Sequence, residues 1–500
     1  MHTASTPAFQ RLYRTDAIRA MERVAMERNG LSEDQLMARA GEAAWRVLLQ
    51  RWPEAHRIGV ACGPGNNGGD GYVLAQLARE SGRDVHVAAL PQTGSRDGAG
   101  ARAAAAYALS GGVATTFAQH DVLPEADVWV DALFGIGLHR ALDGVAADFA
   151  AALNRQPGPV LALDVPSGID ADRGDIPGVC VNAKVTLSFI AGKCGLYTEA
   201  GRAAAGEVIV DRLGLDDVLF ETIEPAALLA RPGHLSHWLQ PRPRNAHKGD
   251  FGHVLCVGGD HGFGGAIALC AQSALRCGAG LVSVATRALH VAALIAARPE
   301  AMAHAVEESA EFAPLLQRAS VIALGPGLGQ GDWGRALHAA VLTSGKPLVI
   351  DADALNLLAQ HPHALHDAVL TPHPGEAARL LDASTASIQC DRYASAQKLA
   401  DRYAAAIVLK GAGSVVAAPG EIPVVIDAGN PGMATGGMGD VLTGTIAALR
   451  AQGLSAFDAA VCGALLHAAA GDAAAHDGGE RGLLPSDLFV HLRRLANPWA

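Results

Sequence analysis

Two glycine-rich segments hold the side chains best suited to chemistry. The first, GPGNNGGDG at Gly63–Gly71, follows an apolar run and leads into the helical pattern DGYVLAQLARE. Its glycines fit GxGxxG at Gly63, Gly65 and Gly68, a spacing that lets backbone amides approach a phosphate at a helix N-terminus. A dehydrogenase fingerprint also needs an acid at the end of the second strand, and DVHVAAL ends in Leu90 and Pro91 instead. The cluster Asn66, Asn67 and Asp70 favours a ligand site; the bland alternative is a tight strand-to-helix turn. Asp131 in VDALFGIGL, and Asp164 with Ser167 in LDVPSGIDADRG, fall where further strands should end. Carboxyl ends of parallel strands converge on one crevice. Asn67, Asp131 and Ser167 would offer oxygens to a hard cation there, and Asp164 a proton-transfer group. Taken singly, each acid could equally be a turn or cap residue.

The second segment is GNPGMATGGMGDVLTGTIAALRAQG, Gly429–Gly453. Its glycines run through Gly437, Met438, Gly439 and Asp440 into an apolar helical stretch. Amides at such a corner can stabilise the charge on a transferring phosphoryl group, and the Asp440 carboxylate beside them can deprotonate an attacking hydroxyl. The sequence contains no GxxxxGK[ST], so a Walker phosphate loop is excluded. The structural alternative is a flexible turn with a capping aspartate.

Positioning these groups needs strands that end together and helices that start there. The 500 residues, half apolar and 18% charged with 58 glycines, suit two or more tightly wound α/β domains. Strand-like runs RIGVACG, DVHVAAL, DVWVDALF, PVLALDVP and KVTLSF alternate with helical ones, and their continuous apolar character suits a doubly wound parallel sheet. Two helices should precede them, the second with a capping box from Ser32 to Gln35. Patterning lapses from Asp216 to Lys248, placing a boundary between residues 1–220 and 221–500. The alternation then restarts with HVLCVGG, LVSVAT, VIALGPG, PLVID, AIVLKG, SVVAAP and PVVID, enough strands for a larger second sheet.

A net charge of −11 and 5% aromatics argue against a nucleic-acid surface. Eight cysteines without a CxxC pair read as buried hydrophobes rather than a disulfide or zinc framework. The first twenty residues lack a secretory apolar core, and the window from Ala266 to Ala285 is broken by Gln272, Arg276, Gly278 and Gly280. These features predict a cytoplasmic protein with a buried helix in that window and no membrane partner.

Together GPGNNGGDG, VDALFGIGL and LDVPSGIDADRG resemble the epimerase domain of the bifunctional NAD(P)H-hydrate repair enzymes, from Thr15 to about Leu215. The resemblance implies a Rossmann-like domain that interconverts R and S NADHX and NADPHX with a potassium ion on Asn67, Asp131 and Ser167. Asn66, Asn67, Gly68, Gly69 and Asp70, the loop Gly135, Ile136, Gly137, Leu138, His139, Arg140 and Ala141, and Asp164 would hold the substrate, Asp164 also acting as acid/base. From Lys248 to Leu495, the segments GDFGHVLCVGG, ALGPGLG, DADALN, LTPHPGE, LKGAGS and GGMGD resemble the ADP-dependent dehydratase domain, a ribokinase-like α/β fold. There Ala266, Gly327, His373 and Asp440 would contact the hydrate. Lys410, Gly411, Ala412, Gly413, Ser414 and Gly439 would hold ADP, with Asp440 catalytic and magnesium assisting. The loop GDHGFGGAIA departs from the family pattern, although Gly265 and Ala266 stay aligned. A homo-oligomer is expected. A ribokinase-like small-molecule kinase with a ligand-binding N-terminal domain is the competing reading.

Overall fold

The structure, a computed structural model, describes residues 8–91, 98–138 and 140–499. Contacts divide it into two compact units, one spanning Arg11–Ala227 and the other combining residues 8–10 with 228–499.

The first unit is built on seven parallel strands. Their order is Ala114–Thr116, Asp84–Ala89, Arg57–Cys62, Val128–Ala132, Val160–Leu163, Val185–Phe189 and Glu207–Asp211. The central runs are apolar at nearly every position because helices cover both faces, so alternate residues have no polar side to meet. Val60, Val130, Leu161 and Leu187 are all fully buried, each contributing roughly 1.5–3 kcal/mol of transfer free energy. Arg57–Cys62 lies between the strand that follows it in the chain and Val128–Ala132, so the direction of winding reverses there. That reversal opens a crevice at the strands' carboxyl ends. The helix Asn66–Glu80 starts at it and packs tightly on the helix Glu33–Arg51: a Cβ at Gly69 would lie 2.5 Å from Met37 Sδ. The expected capping box is present, with Ser32 Oγ accepting from Gln35 N–H and Gln35 Oε1 from Ser32 N–H.

The second unit carries a larger sheet. Its strands run in the order Met302–Ala305, Leu281–Thr286, His253–Val257, Val321–Leu324, Leu348–Ile350, Ala368–Leu370, Ala406–Leu409, Val415–Ala417, Val424–Ile426 and Ala227–Ala230. All pairings are parallel except those of Val415–Ala417, which is antiparallel to both neighbours. Helices Gly264–Arg276 and Met438–Ala451 lie against each other at glycine contact, since a Cβ on Gly444 would fall 2.0 Å from the Cys270 carbonyl oxygen.

The window from Ala266 to Ala285 resolves into that first helix and the strand Leu281–Thr286. Among the described residues, no helix is long and apolar enough to cross a membrane. The stretch from Asp216 to Lys248 is more ordered than its pattern suggests. It holds the helix Asp217–Thr222 and the strand Ala227–Ala230, which pairs with Val424–Ile426. Four apolar residues are too short to show periodicity, and their order comes from a partner almost two hundred positions away.

Candidate active sites

At the crevice of the first unit, the loops after Arg57–Cys62 and Val128–Ala132 meet backbone to backbone. A Cβ at Gly63 would lie 1.7 Å from the Leu133 carbonyl oxygen, and one at Gly68 2.0 Å from that of Gly63. Only glycine allows this turn, which sets Asn67 and Asp70 in the first turn of Asn66–Glu80, both buried. Asp131 is fully buried; its Oδ1 accepts from Ser167 Oγ (2.7 Å) and its Oδ2 from Ser167 N–H (2.8 Å). Burial raises the Asp131 carboxyl to about 6, although the Ser167 and Leu133 hydrogen bonds oppose the shift. Asn67 Oδ1 and Nδ2 are both buried without a hydrogen-bond partner.

Asp164 follows the strand Val160–Leu163 with φ 66°, a left-handed backbone that aspartate tolerates better than most residues. Its Oδ2 accepts from Ile136 N–H (3.2 Å), and Oδ1 receives the Lys193 ammonium at 2.5 Å. Lys193 is wholly buried and also donates to Ser188 Oγ (3.0 Å) and the Phe189 carbonyl (2.7 Å), which fixes its three N–H groups. A Cβ at Gly135 would stand 2.8 Å from Asp164 Oδ2 and 3.5 Å from Asn67 Cγ, so the bare glycine marks a space both side chains border. Burial, then the Asp164 charge, pushes Asp70 well above the carboxylate range, and the same two causes raise Glu22. Several acids thus share a site with one buried ammonium.

The structure joins Asp131 to Ser167, and Asp164 to Asn67 across Gly135. His139 lies outside the described residues, while Arg140 forms an ion pair with Asp143 (2.6 Å). Lys193 and Glu22 were missed. For Lys193 a signal existed, a lone lysine after the apolar run VTLSFIAG; Glu22 sits in an ordinary amphipathic helix and carries none.

In the second unit, Gly437 at φ 94° turns the chain into the helix Met438–Ala451 and places Asp440 in its first turn. Burial, then the charge of Asp351, lifts the Asp440 carboxyl to about 7 against the pull of Lys410. Lys410 leaves the strand Ala406–Leu409 and donates to Asp351 Oδ1 (2.8 Å). Thr443 Oγ1 donates to Asp351 Oδ2 (2.9 Å). A Cβ at Gly439 would come 3.1 Å from Lys410 Nζ and 3.2 Å from Asp351 Oδ2, so the amide corner, the ammonium and the carboxylate are in contact.

His373 caps the helix Pro374–Leu381: its Nδ1 accepts from Gly375 N–H (3.0 Å), and Glu376 Oε2 accepts from His373 N–H (2.8 Å). Glu376 also lies 3.8 Å from Lys410 Nζ, and burial raises it to about 7. Ala266, in the first turn of the helix Gly264–Arg276 that packs on Met438–Ala451, adjoins Gly327, where a Cβ would fall 3.4 Å from Ala266 Cβ. Gly411 lies against the buried Arg392 guanidinium, which donates to the Leu409 and Lys410 carbonyls and holds that strand exit in place. Ser414 Oγ donates to the Gly411 carbonyl (3.2 Å) and closes the turn around Ala412 and Gly413. Asp472 accepts from Gly429 N–H and Asn430 Nδ2, anchoring the entry of the glycine-rich loop. Asp351, Thr443, Glu376 and Asp472 were not singled out in the sequence. The DADALN motif contained Asp351, but nothing local distinguished it from Asp353.

Fold and sites together define an α/β enzyme with two chemically separate centres, the second of the ribokinase-like class. The N-terminal part matches the family model described as YjeF-related protein N-terminus over residues 33–195, and the C-terminal part that of NAD(P)H-hydrate dehydratase over 254–494. The chain is 48% identical over 487 residues to a bifunctional NAD(P)H-hydrate repair enzyme of Coxiella burnetii, covering 97% of this chain and 99% of that one. It is 46% identical to the enzyme of that name from Escherichia coli, with 97% and 93% covered. A solved ribokinase-like superfamily protein from Enterococcus faecalis superposes with TM-score 0.52 at 30% identity, over 56% of this chain and 98% of that one. The chain belongs to the bifunctional NAD(P)H-hydrate repair enzymes.

Proposed function

We propose that the chain repairs hydrated nicotinamide dinucleotides in two steps: residues 1–220 epimerise R and S NADHX and NADPHX, and residues 221–500 dehydrate the S form. The observation that carries the reading is Asp440, half-buried at a phosphoryl-type amide corner, its carboxyl lifted to about 7 by desolvation and the Asp351 charge with the Lys410 ammonium nearby. A carboxylate that exchanges its proton near pH 7 is suited to general-base work.

In the dehydratase centre, hydroxide is a poor leaving group and phosphate a good one. Asp440 takes the proton of the hydrate's hydroxyl as its oxygen attacks the β-phosphorus of ADP, and AMP departs. The amides of Gly436 to Gly439 and the Lys410 ammonium stabilise the charge of the transferring group. The ring nitrogen then expels phosphate, the adjacent carbon gives up a proton, and NAD(P)H forms. Lys410 to Ser414 and Gly439 hold the nucleotide; Ala266, Gly327 and His373 border the hydrate. Magnesium, carried largely by water and the nucleotide's phosphates, would supply charge neutralisation at this centre.

In the epimerase centre, inversion needs reversible cleavage of a bond from the hydrated carbon to its hydroxyl or ring nitrogen. Asp164, oriented by Lys193 and Ile136 N–H, moves the proton. Asn67, Asp131 and Ser167 suit potassium: the unpartnered Asn67 oxygen and the buried Asp131 carboxylate are hard donors lacking a counter-charge. Potassium would supply a fixed positive charge beside the substrate. A cytoplasmic location and a homo-oligomeric state belong to the same reading.

The test is incubation of the purified chain with mixed R and S NADHX and ADP or ATP, following NADH absorbance. Full recovery of both epimers is expected. Phosphorylation of a stable alcohol with no NADH recovered would instead support a small-molecule kinase.

A further inference from the structure

A buried carboxylate with no direct part in the proposed mechanism sits beneath the dehydratase corner. Asp351 follows the strand Leu348–Ile350 at the start of the helix Ala352–Gln360, is 1% exposed, and divides its two oxygens between different elements. Oδ1 takes the Lys410 ammonium from the end of Ala406–Leu409, and Oδ2 takes the Thr443 hydroxyl from the helix that carries Asp440. Thr443 lies three positions after Asp440, on the same side of the helix, and its hydroxyl is also within 3.0 Å of the Gly439 carbonyl. Three elements therefore converge on one side chain.

We propose that Asp351 is a positioning residue of the dehydratase: its carboxylate locks the Lys410 ammonium to the helix bearing Gly439 and Asp440, setting phosphate clamp and base in one register. The inference rests on Asp440 being that base. An isolated buried carboxylate is strongly disfavoured, and here Lys410 and the hydrogen bonds from Thr371 and Thr443 overcome the cost of burial and keep it ionised. Its negative charge in turn opposes ionisation of Asp440 and of Glu376. The charged and titratable groups around the pair are Lys410, Glu376 and Asp353, together with His373, Cys270 and the buried His467 of the helix Ala456–Gly478, whose imidazole faces the Lys410 charge.

Asp351→Asn keeps the shape and removes the charge. In the full chain, KM for ADP should rise about tenfold as Lys410 loses its tether. The acidic limb of the kcat/KM profile should move down by about one pH unit, because Asp440 no longer faces a neighbouring negative charge. R/S epimerisation by the same chain should be unchanged. Simple loosening of the core would lower the rate at every pH alike and leave the limb where it was. An unmoved limb together with a wild-type KM for ADP would overturn the proposal. Should Asp351→Asn not give soluble chain, Thr443→Val carries the test: kcat should fall about tenfold at unchanged KM for ADP, and a wild-type kcat would overturn it. Asp440→Asn, run in parallel, separates the two ideas. If that variant still dehydrates, the assignment of the base has failed, whatever Asp351 does.

Discussion

Asp164 and Asp440 are each poised by one lysine, and the two lysines are held differently. Lys193 is sealed within the protein with all three donors satisfied, whereas the Lys410 side chain keeps 21% exposure beside the glycine corner. Substitution should separate their activities cleanly. Asp440→Asn is expected to lower dehydration by about a thousandfold and leave R/S interconversion intact, and Asp164→Asn to do the reverse, both read by chromatography of the epimers. As the proposed base Asp440 would have to be deprotonated, and burial with the Asp351 charge lifts its carboxyl to about 7. Dehydration kcat/KM should therefore climb as pH rises through that value and fall about tenfold per unit below it; a profile flat from pH 5 to 8 would contradict the assignment. The orphaned Asn67 oxygen gives a readout that needs no turnover. Potassium, compared with choline at equal ionic strength, should raise the melting temperature by about 2–4 °C, and Asn67→Ala should remove the difference.

At the scale of elements, glycines decide where the chemistry can sit. Gly437 combines φ 94° with a Cβ position 2.7 Å from Leu269 Cδ1. Gly437→Ala should cost about 1–2 kcal/mol from the left-handed backbone alone and displace the amide corner, so dehydration should drop while epimerisation persists; wild-type dehydration would show that the corner does not need this turn. Most of this was legible beforehand. The strand runs from RIGVACG to PVVID announced themselves because buried parallel strands are apolar throughout, and the two glycine loops lie at their ends. The parts that were not legible are those made by distant partners. Ala114–Thr116, Met302–Ala305 and Ala227–Ala230 are three or four residues long with no pattern of their own. Lys193, Glu376 and Asp351 became functional candidates only when folding set an opposite charge beside them. A capping-box glutamate such as Glu376 is usually solvated, and here a neighbouring lysine and a closed site change its role.

At the scale of the whole molecule, the two proposed centres share one chain without a catalytic group in common. Their chemistry requires no covalent hand-over, since the epimerase returns a free hydrate that the dehydratase can bind from solution. A mixture of Asp164→Asn and Asp440→Asn chains, each defective alone on mixed epimers, should therefore recover NADH from both R and S forms. Failure of the mixture, with each partner retaining its remaining activity, would mean that the hydrate must stay with one chain.

The division of the chain also bears on its birth. Phe9 stacks on His234 at 4.4 Å between ring centroids, and Arg231 donates to Gln10 across 221 positions. During synthesis these early residues leave the ribosome long before the segment that receives them, and the intervening unit can close first. The second unit then completes itself by capturing a thread made about two hundred residues before its partner.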